Sequence, residues 1–179
     1  MSLFPYDELN TIKGAVQILI DEGQSVELVE DTIEDLLIMA YVFGGDQAAQ
    51  DLQSEKENHV DKLEAALNKE IADKTWRDRI EEYYLTGDIE SIDRVIDTET
   101  HRLYNTGAFD TAEDVPEAKK VWRTMEDDRV RRTHEYLENV AVPLDELFWT
   151  YDGDSARFPG DFTLPENCVG CRCWLEFTK

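Results

Sequence analysis

The chain has 179 residues, 41 acidic against 18 basic side chains, a formal net charge of −23, and a hydrophobic share of 41%. That much apolar material closes a core and excludes wholesale disorder, while the length allows one domain, or one domain with a helical extension. A charge of this sign and size repels phosphate, which excludes a broad electrostatic footprint on nucleic acid and disfavours anionic membrane surfaces.

The first stretch reads as helices in chain order. Pro5 suits an early helical position, and Ile12, Val16, Leu19 and Ile20 follow at spacings of three and four until Gly23 stops the run. Ser25 is set to cap a second helix carrying Val26, Val29, Ile33, Leu36, Leu37, Ala40 and Phe43, which Gly44-Gly45 is expected to close or bend. A third helix is predicted from about Ser54, with Val60, Leu63, Leu67 and Ile71 on one face. It is expected to continue through Trp76, Ile80, Tyr83 and Tyr84, because no Gly or Pro interrupts it before Gly87. A fourth starts near Asp88 with Ile89, Ile92, Val95, Ile96 and Leu103 as its buried stripe. All four stripes read as helix-helix core.

After Gly107 the pattern changes. Residues 111–116 read as loop, 119–125 as a short strand around Val121 and Trp122, and 127–139 as a charged turn or short helix. The aromatics of residues 144–151 favour a strand in its second half, turns follow at 152–154 and 158–161, and the alternating Cys173, Leu175 and Phe177 predict a last strand. Residues 1–118 hold 29 acids and 9 bases; residues 119–179 hold 12 acids, 9 bases and all three cysteines. The predicted fold class is α+β: an acidic α-helical region, residues 1–87, followed by a small α+β unit with a short sheet, residues 88–179. The longest apolar run, residues 36–43, is eight long, against the ~18 of a membrane span. The first eight residues lack the basic start and apolar centre of a signal peptide, so a soluble protein of cytoplasmic type is expected.

The sharpest chemical signal is Cys168-Val-Gly-Cys171-Arg-Cys173. Three thiols in six residues make no complete disulfide framework, and they suit one soft cation such as zinc, with Gly170 letting the backbone turn. Of His59, His101 and His134, the last is the best fourth ligand because it lies in the same unit. The alternative is that the cysteines are small buried hydrophobes. Asp128, Arg131 and His134, at spacings of three, could share a helical face as an acid/base pair with a phosphate-binding arginine, as in a small nuclease. The structural reading is a charge-paired network holding a loop. Thr98, Glu99 and His101 interrupt the fourth helix's apolar face and are expected to bond across to the C-terminal unit. The acids at 27–35, and Glu55 and Glu57, lack the Gly-centred spacing of a calcium loop and read as solvated helix faces.

In order, Thr98-Glu99, Arg102, Tyr104-Asn105, Gly107, Trp122, Thr124, Asp127-Asp128, Val130-Arg131, His134, Phe148, residues 158–161, Asn167 and Cys171-Arg172-Cys173 resemble the phage Mu F-like minor head protein family, also called phage head morphogenesis proteins. The resemblance covers residues 88–179. Some members carry a C-x2-C pair after the aspartates and an H-x2-C before the last strand; the corresponding positions here are Arg131, His134, Cys168 and Cys171. With arginine at one of them, Cys173 is the replacement, which gives His134, Cys168, Cys171 and Cys173 as the implied ligands of a structural zinc. The resemblance further implies a non-enzymatic role in head morphogenesis and DNA delivery at the portal vertex. The portal protein and/or the major capsid protein would be the partners, and the chain would lie inside the virion capsid after assembly in the host cytoplasm. Trp149, Tyr151 and Phe158 are candidates for a binding patch, although core is the first expectation for all three. The rival readings are a small nuclease-like or toxin-type enzyme using Asp128, Arg131 and His134, and a zinc-stabilised adaptor unconnected to capsids.

Overall fold

The computed structural model describes residues 6–57 and 59–179; Pro5 lies outside them. Helix α1, Tyr6–Asp21, ends before Gly23, whose φ of 67° suits the left-handed turn there. The Ser25 hydroxyl accepts from the Leu28 N–H and caps α2, Val26–Leu52. The glycine pair neither closes nor bends α2 out of helical geometry; the helix runs eight residues past Gly44. The reason lies across the interface, in α5, Ile89–Ala112. A Cβ on Gly44 would fall 1.9 Å from the Tyr104 carbonyl oxygen, and one on Gly107 would fall 2.0 Å from that of Tyr41. The two helices therefore touch backbone to backbone, and the glycines serve the crossing rather than a turn. Gly107→Ala is expected to destabilise the protein by about 3 kcal/mol. Gly14→Ala, with nothing within 4 Å of its added methyl, should be neutral or slightly stabilising. Equal melting temperatures for the two variants would contradict the close crossing.

The expected long third helix is two helices, α3 (Val60–Leu67) and α4 (Trp76–Thr86). Between them Ala72 and Asp73 take positive φ, and Thr75 and Asp78 form a reciprocal capping box that starts α4 afresh. The Trp76 indole N–H donates to the Leu67 carbonyl at 3.1 Å, folding the second helix against the end of the first. Asp88 accepts from the Ser91 N–H and caps α5, which continues through Gly107 to Ala112 and so takes up the start of the expected loop.

Beyond α5 the chain forms β1 (Lys119–Arg123), α6 (Arg132–Glu135), β2 (Ala141–Pro143), β3 (Phe148–Trp149), β4 (Ser155–Ala156), α7 (Pro165–Cys168) and β5 (Trp174–Thr178). Strand β1 is central in an antiparallel sheet of order β2-β1-β5, with Trp122 opposite Leu175; β3 and β4 form a separate hairpin. The architecture is α+β, as the sequence predicts. Of the two cores, one packs Val16, Ile33, Leu37, Trp76, Ile80 and Ile96 among the helices. The other packs Leu52, Phe109, Trp122, Phe162, Leu175 and Phe177 with the three cysteines. Helices α2 and α5 each contribute to both cores, and the division expected at residues 87/88 falls at the caps of α4 and α5. No described helix is long and apolar enough to cross a membrane.

Candidate metal centre

Cys171 and Cys173 lie on the extended chain entering β5, two residues apart, so their side chains leave on one face together with Leu175 and Phe177. That face meets α6, where the His134 Nδ1 lies 3.7 Å from each sulfur. All three residues are buried, and among the described residues they form the one group able to converge on a metal. With Zn–S of about 2.3 Å and Zn–N of about 2.0–2.1 Å, a tetrahedral site has N···S edges of about 3.6 Å. Two such edges are already in place, so the residues present fit a soft divalent metal.

Away from the two sulfurs, packing rather than a polar partner holds the imidazole. Phe162 stacks on it at 5.1 Å and Trp122 meets it edge-on at 5.4 Å, while its Nε2 is buried without a hydrogen-bond partner. The Asn105 amide fixes the opposite side of the site: its NH2 donates to the Cys173 carbonyl at 3.0 Å, and its oxygen accepts from the Leu175 N–H at 3.0 Å, locking the register of β5 on α5. The two thiols are pushed in opposite directions. The Cys173 S–H donates to the Cys171 sulfur and, with His134, holds Cys171 well below the ordinary thiol range. The same bond, together with burial, pushes Cys173 up. A metal takes both sulfurs as thiolates, so binding one here would release the proton that the pair shares.

Cys168 does not join them. It ends α7, and its S–H points to the carbonyl oxygens of Phe162 at 3.2 Å and Gly160 at 3.6 Å, where burial pushes the thiol up to about 12. Arg131 is equally committed, its guanidinium donating to the carbonyls of Asn167 at 3.0 Å and Val169 at 2.6 Å. Beside it, Asn167 accepts from Thr133 and donates to Asp154. Burial raises the Asp154 carboxyl, but Asn167 and the N–H groups of Leu164, Thr163 and Ser155 outweigh that and hold it below the usual range. These bonds pin the cysteine-bearing loop to α6 without a metal.

The other expected residues separate. Asp128 is exposed, while its neighbour Asp127 takes a bidentate pair from Arg172 at 2.7 and 2.9 Å. Thr98 reaches the C-terminal unit, accepting from the Gly170 N–H at 3.0 Å, and Glu99 instead pairs with Arg102; His101 Nδ1 meets the carbonyl of Asp97 in its own helix, and the ring lines a cavity together with Cys171 and Arg172. His59 pairs with Asp114, far along the chain from the cluster. Of the aromatics, Phe158 is core as expected, but Trp149 and Tyr151 are 59% and 69% exposed on the β3–β4 hairpin, with Tyr136 packed beside Tyr151. The roles of Asn105, Arg131 and Phe162 at the site were not foreseen; the Asn105-to-Cys173 link joins residues 68 apart and leaves no local spacing signal.

Fold and cluster together define a small α+β protein whose sulfur and imidazole groups sit in its core rather than in an open cleft. Comparison with known families agrees with that class: residues 10–176 match the family model described as phage Mu protein F like protein. The chain belongs to this family. It is 29% identical over 83 residues to the minor head protein GP7 of Bacillus phage SPP1, a match covering 45% of this chain and 27% of that protein. It is 42% identical over 55 residues to the NAD(+)–arginine ADP-ribosyltransferase EFV of Enterococcus faecalis (strain ATCC 700802 / V583), covering 31% of this chain and 11% of that protein. The chain thus spans about a quarter or less of the length of these curated relatives. No solved structure matches it.

Proposed function

We propose that the chain is a phage head protein that acts in head morphogenesis, docks at the portal vertex from inside the capsid, and takes part in DNA delivery without catalysing a reaction. The observation that carries this reading is the family match running from residue 10 to residue 176, through both cores. The physics is compatible with it. A net charge of −23 keeps the chain from adhering to packed DNA. The exposed aromatics Tyr136, Trp149 and Tyr151 offer a compact apolar contact for a capsid or portal surface. The nuclease-like alternative needs Asp128, Arg131 and His134 in one wet cleft, whereas Asp128 faces solvent and His134 is 1% exposed. We also propose that His134, Cys171 and Cys173 hold a structural zinc, which would add a metal cross-link between β5 and α6.

The test is to purify heads assembled with the portal protein, the major capsid protein and this chain. The chain should be protected from protease inside the heads and be captured by isolated portal. Changing Trp149 and Tyr151 together to alanine should weaken that capture roughly tenfold or more. Recovery of the chain only as free protein, or cleavage of RNA or DNA that His134→Ala abolishes, would overturn the reading.

A further inference from the structure

Three protein ligands leave a metal one position short of a tetrahedron. The residue expected to complete it, Cys168, is bonded to the carbonyls of Phe162 and Gly160. Its backbone is held as firmly: the Cys168 carbonyl accepts from the Cys171 N–H at 3.1 Å, and its neighbour Asn167 is tied to Thr133, Asp154 and Arg131. Swinging its sulfur into the cluster would break this set and vacate core packing. The Arg131 guanidinium is spent on two carbonyls and offers no lone pair.

A wider cavity of about 600 Å³ reaches Cys171, Met125 and Arg129, but the space that touches all three ligands, lined also by Met125, Arg129 and Arg131, is one of about 10 Å³. That is the space a single water molecule takes up. Resting on the zinc reading above, we infer that the fourth position of the metal belongs to a water-sized ligand from outside the chain, and that Cys168 is a structural thiol and no ligand. The space directly against the three ligands admits solvent or a single small anion. The arginines beside it favour an electron-rich occupant. A site of this kind exchanges its fourth ligand, whereas a closed four-thiolate or three-thiolate site does not.

X-ray absorption on the zinc-loaded full chain and visible spectra of its cobalt form test this. The expected shell has two sulfurs and two nitrogen or oxygen atoms, and the cobalt bands should shift on titration with azide. Cys168→Ala should leave the bands and the metal affinity within about twofold of the parent. Changing a residue that only orients a ligand costs roughly 10–100-fold, so Cys171→Ser or Cys173→Ser should cost at least that. A third sulfur in the shell, a three-coordinate shell, or a tenfold loss of affinity in Cys168→Ala would overturn the assignment while leaving the metal reading intact. Failure of the parent chain to bind either metal would overturn both.

Discussion

Trp122→Ala is expected to lower the unfolding free energy by about 3–5 kcal/mol and the melting temperature by roughly 10 °C or more. The side chain is fully buried at the middle of the central strand and makes ring contacts with Phe148 at 5.0 Å, Phe162 at 5.7 Å and His134 at 5.4 Å. From the sheet the ring reaches the hairpin through Phe148 and α6 through His134, so the void left by alanine cannot be filled by one neighbour moving. The loss should reach the metal centre too. With no partner on Nε2, the far side of the imidazole is oriented by its aromatic neighbours, and zinc affinity should fall along with stability. Trp122→Phe, which keeps an aromatic face, should recover most of both. A melting curve and a metal titration on the three proteins check the prediction; an unchanged melting temperature in Trp122→Ala would show that the packing inferred here contributes nothing.

The same residues show what a reader of the sequence can and cannot see. The alternation of Cys173, Leu175 and Phe177 announces β5 and its buried face because a period of two is local. Extending that alternation back to Cys171 would have chosen the two cysteines that meet His134. The x2 spacing of Cys168 and Cys171 points elsewhere because a turn can present two ligands only if both side chains leave on its inner side. Here Cys168 leaves α7 toward the carbonyls at 160 and 162. Gly44 and Gly107 read locally as breakers, since the backbone that demands their bareness lies in another helix. The opposite error occurs at residues 68–75. No Gly or Pro marks that break, and its one sequence signal, Thr75 three residues before Asp78, is an acidic variant of the usual capping box. Of the two-residue strands, β3 falls in the second half of residues 144–151, where the aromatics favour a strand, while β4 carries too little pattern to be predicted.

Glu99→Ala is expected to cost about 3–5 kcal/mol, because it strands a charge that the fold has already taken out of water. Arg102 is 2% exposed and Glu99 3% exposed, bonded through Nε at 2.9 Å and Nη at 2.6 Å, and the guanidinium also donates to the Ala66 carbonyl at 2.8 Å. The pair thus links α5 to the end of α3, and Gly160 packs against the Arg102 stem, where a methyl would come within 3.1 Å. Replacing both partners, Glu99→Leu with Arg102→Met, removes the two desolvated charges together. It should cost far less than either single change, and similar exchanges are neutral or stabilising by about 1–4 kcal/mol. What the double variant gives up is the bond to Ala66, so amide exchange in α3 should rise even where global stability is kept. Denaturant unfolding of the two singles and the double closes the cycle. Additive losses would mean that the two charges do not depend on each other. A coupling of several kcal/mol would mean that Glu99, which sequence reasoning assigns to contacts with the C-terminal unit, instead acts with Arg102 to fix how the short third helix sits on the long fifth one.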